Sequence, residues 1–160
     1  MKRVLRLGFV ASVLVTFNAS AATLYVSLES TNPVAPYATW ATAANVIQDA
    51  VDAAKSGDTV VVTNGVFRVG SRDVSVIDTN QEPPQIVSQG ASRVVVTNSI
   101  KLESVNGPLL TTVEGSSGLP DENGQPTNTL RCFFLGSNAV LSGFTLTNGY
   151  SYGRGGGGLM

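Results

Sequence analysis

Histidine is missing from this 160-residue chain, and cysteine occurs once. Without an imidazole there is no Ser-His-Asp or Cys-His catalysis, and nearly every zinc-site pattern falls with it. The single thiol, Cys132, cannot close an internal disulfide. Its neighbours Leu130, Phe133, Phe134 and Leu135 place it in a buried strand, as a core thiol rather than a reactive one. Long apolar runs are absent too. The one extended apolar stretch, 7–17, is too short for a helix that crosses a bilayer, which takes roughly 20 residues.

That stretch has another reading. Lys2, Arg3 and Arg6 make a positive start, 7–17 has the length of a signal-peptide core, and Ala19-Ser20-Ala21 fits a small-x-small cleavage site. Residues 1–21 are therefore expected to be a signal peptide, cut between Ala21 and Ala22. The mature protein, residues 22–160, would be secreted or held at the cell surface, and outer-membrane association is compatible with this. Contact with a membrane would run only through the signal peptide. Loss of the three leader cations takes the basic count from 10 to 7 against 11 acidic residues, a net of −4. Nothing basic is left to track a phosphate backbone, so nucleic acid is excluded as a partner.

What the chain does have is most legible at 45–67, NVIQDAVDAAKSGDTVVVTNGVF. Ile47, Ala50, Val51 and Ala54 fall at i, i+3, i+4 and i+7, one face of a helix. Asn45, Gln48, Asp49, Asp52 and Lys55 occupy the opposite side. Thr39 or Thr42 is placed to cap this helix, Trp40 to cover its apolar face, and Gly57 to stop it in a left-handed conformation. Asp58-Thr59-Val60-Val61-Val62-Thr63 reads as a strand, and its three consecutive valines predict at least partial cover on both faces. Asn64-Gly65 makes the next bend. A hairpin there is disfavoured, because 68–72 holds no clean return strand.

Downstream, order fades over 73–93, where Val74, Val76 and Ile77 suggest one short strand and 79–85 a loop. It returns in 94–96, 100–105, 110–114, 130–135 and 139–147, separated by Gly, Asn and Pro corners. Strands of this length with one leading helix predict an all-β fold, which a sandwich or a solenoid would satisfy. The helix at the front favours the solenoid, since stacked coils leave an open end for it to cover. Thr-Asn recurs at Asn64, Asn98 and Asn148, and equivalent corners in successive coils could stack their amides in a ladder. The glycine-rich ending stops where another strand would begin, which reads as the N-terminal part of a longer protein.

The segments G-D-T-V-V-V-T-N-G-V-F, K-L-E-S-V-N-G-P, T-V-E-G, R-C-F-F-L and L-S-G-F-T-L-T-N-G, behind a signal peptide and a helix, resemble the start of secreted bacterial right-handed parallel β-helix proteins of the pectin-lyase-like superfamily. The likeness covers about 23–158, and its specific parts are 57–60 and 141–149, the latter containing Gly143. It implies a right-handed parallel β-helix, an N-terminal amphipathic capping helix and three short strands per coil. The closing Gly-Gly-Leu-Met is faintly similar to the repeats of polymorphic outer-membrane proteins and autotransporter passengers. The superfamily holds pectate lyases, polygalacturonases and pectin methylesterases beside adhesins and phage tailspikes, so fold does not decide function.

The catalytic aspartate clusters and the Arg or Lys base that such enzymes use are not visible here, and no catalytic, metal or cofactor residue is assigned. Asp49 and Asp52 read as a solvated face, and Asp121-Glu122 as a polar loop short of a calcium cage. Gly153-x-Gly155-x-x-Gly158 lacks the strand and helix of a nucleotide site. Tyr150 and Tyr152 could stack on sugar rings, although a surface or packing role suits them better. The expectation is an exported β-helix scaffold that binds polysaccharide or cell-surface components, without catalysis in this chain. The alternative is the non-catalytic start of a polysaccharide lyase or other carbohydrate-active enzyme.

Overall fold

Valine-rich segments with small or left-handed residues between them form short strands that stack rather than fold back. The computed structural model describes residues 20–151. The leader 1–19 and the glycine-rich end 152–160, with Tyr152 and the Gly153–Gly158 pattern, lie outside the described residues. The elements in chain order begin with β1 (Thr23–Val26), a 3-10 turn (Trp40–Thr42), α1 (Ile47–Ala53), β2 (Thr59–Val62) and β3 (Gly65–Phe67). β4 (Arg72–Asp78), β5 (Gln85–Val96), β6 (Lys101–Ser104) and β7 (Thr111–Glu114) follow. The chain continues through β8 (Leu119–Pro120), β9 (Pro126–Thr127), β10 (Arg131–Leu135), β11 (Val140–Ser142) and β12 (Thr145–Thr147).

Parallel pairing joins β1, β2, β6 and β11 into one sheet and β3, β7 and β12 into a second. β5 and β10 pair in parallel on a third side. The result is a parallel β-solenoid of about three turns. β2 does not pair with β3, so the Asn64-Gly65 bend is a coil corner and not a hairpin.

In-register stacking builds the core. Leu24, Val60, Leu102 and Leu141 form one column across the first sheet, and Phe67, Val113 and Leu146 another across the second. Val60, Val62, Leu102, Val113 and Phe133 are wholly buried. Rungs stand about 4.8 Å apart, so a residue facing inward on one strand packs on its equivalents above and below. In β2, Val60 and Val62 point in while Thr59 and Val61 are half-buried, so both faces have at least partial cover as the valine run predicts.

The helix departs from its sequence reading in four ways. Its buried face, Ile47, Ala50 and Val51 followed by Ala54, joins the solenoid core as the spacing predicts. Gln48, assigned to the polar side, is buried as well, because its amide bonds to β5. The residue before the helix is Val46, with no side-chain cap; Thr39 instead precedes the 3-10 turn and Thr42 ends it, hydroxyl to hydroxyl at 2.9 Å. Gly57 has φ +96° but follows the helix end at Ala53 by four residues, so it shapes the turn into β2 rather than stopping α1. Trp40 does not cover the helix. Its ring packs at a tilt on Tyr25, centroids 4.4 Å apart.

The illegible region is a hairpin. β4 runs antiparallel to residues 85–92 of β5, from Arg72↔Ser92 to Asp78↔Gln85, with an irregularity between Val74 and Ser75. The same long strand then enters the solenoid, where 92–96 pairs with β10. One face of the hairpin is wet: Ile77 and Ile86, opposite each other, are 67% and 78% exposed, whereas Val74 is buried. Apolar residues on a wet face blur the alternation that marks a strand.

Corners impose their own demand. At Gly115 an added Cβ would lie 2.4 Å from the Leu130 carbonyl oxygen and 2.6 Å from the Cα of Gly149, the corner glycine of the next turn. Both obstacles are backbone. Gly115→Ala is expected to cost about 1–3 kcal/mol through overpacking, read as a lower urea midpoint at unchanged slope.

Candidate functional site

Stacking also brings polar corner residues distant in sequence onto one edge. The segments following β1, β2 and β6 lie at the same corner of three successive rungs. They contribute Ser27 and Glu29, then Thr63 and Asn64, then Val105 and Asn106, to a groove of about 370 Å³ whose remaining wall is Trp40. Asn106 Nδ2 donates to Asn64 Oδ1 at 2.8 Å, so two side-chain amides stand in line along the solenoid axis. Each Asn falls two residues past its strand, and each is followed by glycine. Gly65, at φ +139°, takes a conformation that side chains rarely adopt, and a Cβ there would meet Leu28 Cδ1 at 2.7 Å.

The groove is held from behind. Asn45 Nδ2 donates to the carbonyls of Ser27 at 3.1 Å and Ser30 at 2.9 Å, which fixes the bend carrying Glu29. Tyr25 supports one side of Trp40, whose indole remains 45% exposed. An aromatic surface beside amides, hydroxyls and one carboxylate can take an apolar ring face and hydrogen-bond groups at its edge.

The three Thr-Asn corners do not stack on one another. Asn64 follows β2, Asn98 follows β5 and Asn148 follows β12, so they stand at three different corners of the coil. The amide ladder that forms pairs Asn64 with Asn106, which the Thr-Asn repeat missed; the shared Asn-Gly after β2 and β6 was the signal. Asn98 Nδ2 instead donates to the Ala54 carbonyl at 3.2 Å, just past α1. Asn148 sits at φ +54° and bonds to the Glu114 carboxylate. Gly143, at φ +81°, receives a hydrogen bond on its carbonyl from the Ser104 hydroxyl one turn below. Asp58 is 7% exposed and accepts from the backbone N–H groups of Ala22 and Lys55, each at 2.8 Å. Ala21 and Ala22 are exposed.

Other candidates find structural roles. Asp49 and Asp52 are exposed, as a solvated face predicts; Asp52 also accepts from Gln48 at 2.8 Å and pairs with Arg72, linking α1 to β4. Asp121 Oδ1 accepts from the N–H groups of Asn123 and Gln125, both at 2.8 Å, and so organises its own turn. Cys132 is wholly buried; desolvation pushes its thiol pKa up, and Sγ donates to the Thr147 carbonyl at 3.2 Å. Arg93, to which the sequence drew no attention, donates to the carbonyls of Gly70, Glu114 and Gly115. Burial lowers its pKa. The Arg68 guanidinium, bonded to Glu114 at 2.5 Å, holds that carboxyl below the ordinary range. Among the described residues no group of three or more His, Cys, Asp or Glu side chains is placed to hold a metal ion. Among the described residues no helix is long and apolar enough to cross a membrane.

Comparison with protein-family models, with curated proteins and with solved structures finds no match to this chain.

Proposed function

We propose that this chain is the exported N-terminal part of a right-handed, pectin-lyase-like β-helix, with α1 closing its first coil, and that it binds polysaccharide at the Trp40 groove without cleaving it. Its place is outside the cell or on the cell surface. The observation that carries the reading is the exposed indole of Trp40 beside the aligned amides of Asn64 and Asn106. Sugar rings offer an apolar face to an indole and hydroxyls to amides, and the axial line of the groove suits an extended chain. Export is supported by the leader and its Ala19-Ser20-Ala21 end. Closure of the coil by α1 is supported by its packing against β1, β2 and β5 through a buried apolar face.

Binding is favoured over hydrolysis because Glu29 is the one carboxylate lining this groove, whereas glycoside hydrolysis generally takes two. Affinity electrophoresis through gels containing pectin, homogalacturonan, xylan or β-glucan tests the proposal. One of these polysaccharides should retard the wild-type protein. Trp40→Ala should weaken that retardation about five- to tenfold, the ~1–1.5 kcal/mol of a lost aromatic contact. Equal retardation of both proteins would remove the groove from the argument. Release of unsaturated sugars by the purified chain would favour the lyase alternative.

A further inference from the structure

Asp58 is buried beside the position where the leader is expected to end. Its Oδ1 accepts from the Ala22 N–H at 2.8 Å and its Oδ2 from the Lys55 N–H at 2.8 Å. The Ala22 carbonyl meanwhile accepts from Thr59 N–H at 2.9 Å, which continues the β1–β2 ladder by one residue. Ala22 is thus held on both sides by the start of β2, while residues 20–22 stay exposed and outside any regular element. From this geometry we infer that Asp58 is the receptor for the new N-terminus: cleavage between Ala21 and Ala22 turns a neutral amide donor into an α-ammonium paired with this carboxylate, locking β1 onto the solenoid. The inference rests on the export reading and adds a function for the cut itself.

The chemistry balances with water as the only co-reactant. Hydrolysis by an export peptidase breaks the Ala21–Ala22 C–N bond. The departing leader takes hydroxide at the Ala21 acyl carbon and ionises to a carboxylate. The Ala22 nitrogen takes protons and becomes an ammonium at neutral pH. The amide–carboxylate bond is already charge-assisted; cleavage adds a full positive charge beside the carboxylate, so Coulomb attraction joins the hydrogen bond when the leader goes. Before cleavage the same contact holds 20–22 in place at the surface. The hollow around Ala22 is lined by Ser20, Thr23, Leu24, Pro36, Ala38 and Ala53, all uncharged, and by Lys55 and Asp58. Lys55 is the other charge facing the site.

The sign of the pH effect follows. A free α-amino group titrates near ~7.7–8.0, and a carboxylate partner raises that value in the folded state. The stabilisation is therefore fully present below the unfolded value and is lost as pH rises through the folded one.

The test uses the full chain with its own leader, expressed in a secreting bacterium and recovered from the periplasm or medium. Intact mass should place the first residue at Ala22. The mature protein, Asp58→Asn, and a variant with one alanine inserted between Ala21 and Ala22 are then melted from pH 6 to pH 9.5. The insertion keeps an amide donor at Ala22 but moves the charge one residue away, and Lys55 is common to all three proteins. At pH 6 both variants should melt about 3–6 °C below wild type. The gap between insertion variant and wild type should close by pH 9.5, because only wild type loses the pair. A mature chain beginning at Ala22 with superimposable melts for wild type and insertion variant would overturn the lock and leave export standing. A retained leader, or a different first residue, would overturn both the lock and the expected cleavage site.

Discussion

Truncation of Phe133 to alanine should lower the unfolding free energy by about 3–5 kcal/mol, the usual range for a large aromatic removed from a closed core. Phe133 has no exposed surface, pairs in register with Val94, and packs a tilted ring on Phe144 with centroids 5.9 Å apart. It belongs to the same core cluster as Val60, Leu102 and Val113. A solenoid of about three turns has little material with which to collapse around the hole, because each rung is fixed by its ladder to the next. Urea unfolding followed by circular dichroism measures the loss, with Phe133→Leu as the milder control. A loss below about 1 kcal/mol for Phe133→Ala would mean that the core is not closed around β10.

Replacement of Gln48 by alanine should cost about 2–4 kcal/mol, because two buried backbone groups lose their partner together. The Gln48 side chain accepts from Val95 N–H at 2.7 Å and donates to the Val95 carbonyl at 3.1 Å, completing for β5 what a neighbouring strand would otherwise supply. It also donates to Asp52 at 2.8 Å. The amide is therefore the polar bond between helix and solenoid. Gln48→Glu sharpens the test, since it keeps an acceptor for Val95 N–H, loses the donor and sets a second carboxylate against Asp52. Gln48→Ala should release the Val95 amide to hydrogen exchange well before the core amides of β2 and β6, whereas Gln48→Glu should keep more of that protection while still losing stability. Unchanged protection of Val95 in Gln48→Ala would refute this role.

The two variants mark where the sequence could and could not be read. Phe133 lies in Arg131–Leu135, an apolar strand announced by its own composition. Gln48 was assigned to the wet side of a helix by periodicity, and periodicity records the polarity of a side chain rather than what waits opposite it. The β4–β5 pairing escaped for the converse reason: Ile77 and Ile86 are apolar residues on a wet face, so polarity does not track burial along the hairpin. The groove followed neither route. Trp40, Asn64 and Asn106 are each ordinary turn or link residues in sequence, and two stacked rungs put them side by side. Asp58 likewise looked like the polar start of a strand, and its partner is 36 positions earlier.

By itself, the sequence determined the all-β character, the early helix, the corner at Asn64-Gly65, the buried Cys132 and the exclusion of histidine chemistry, but 139–147 reads as one strand where the coil turns at Gly143 between β11 and β12. Each of these depends on local propensity or composition, which a chain carries whatever it folds into. Tertiary structure decided which corner stacks on which, that Gln48 is inside, that Asn64 meets Asn106 rather than Asn98 or Asn148, and that Asp58 faces Ala22. Those contacts depend on how many residues each turn of the coil consumes, and the hairpin inserted between β3 and residues 92–96 sets that count for the first turn. Register between rungs is a long-range property, settled by the summed fit of the apolar columns through the core, and no single segment of the chain contains it.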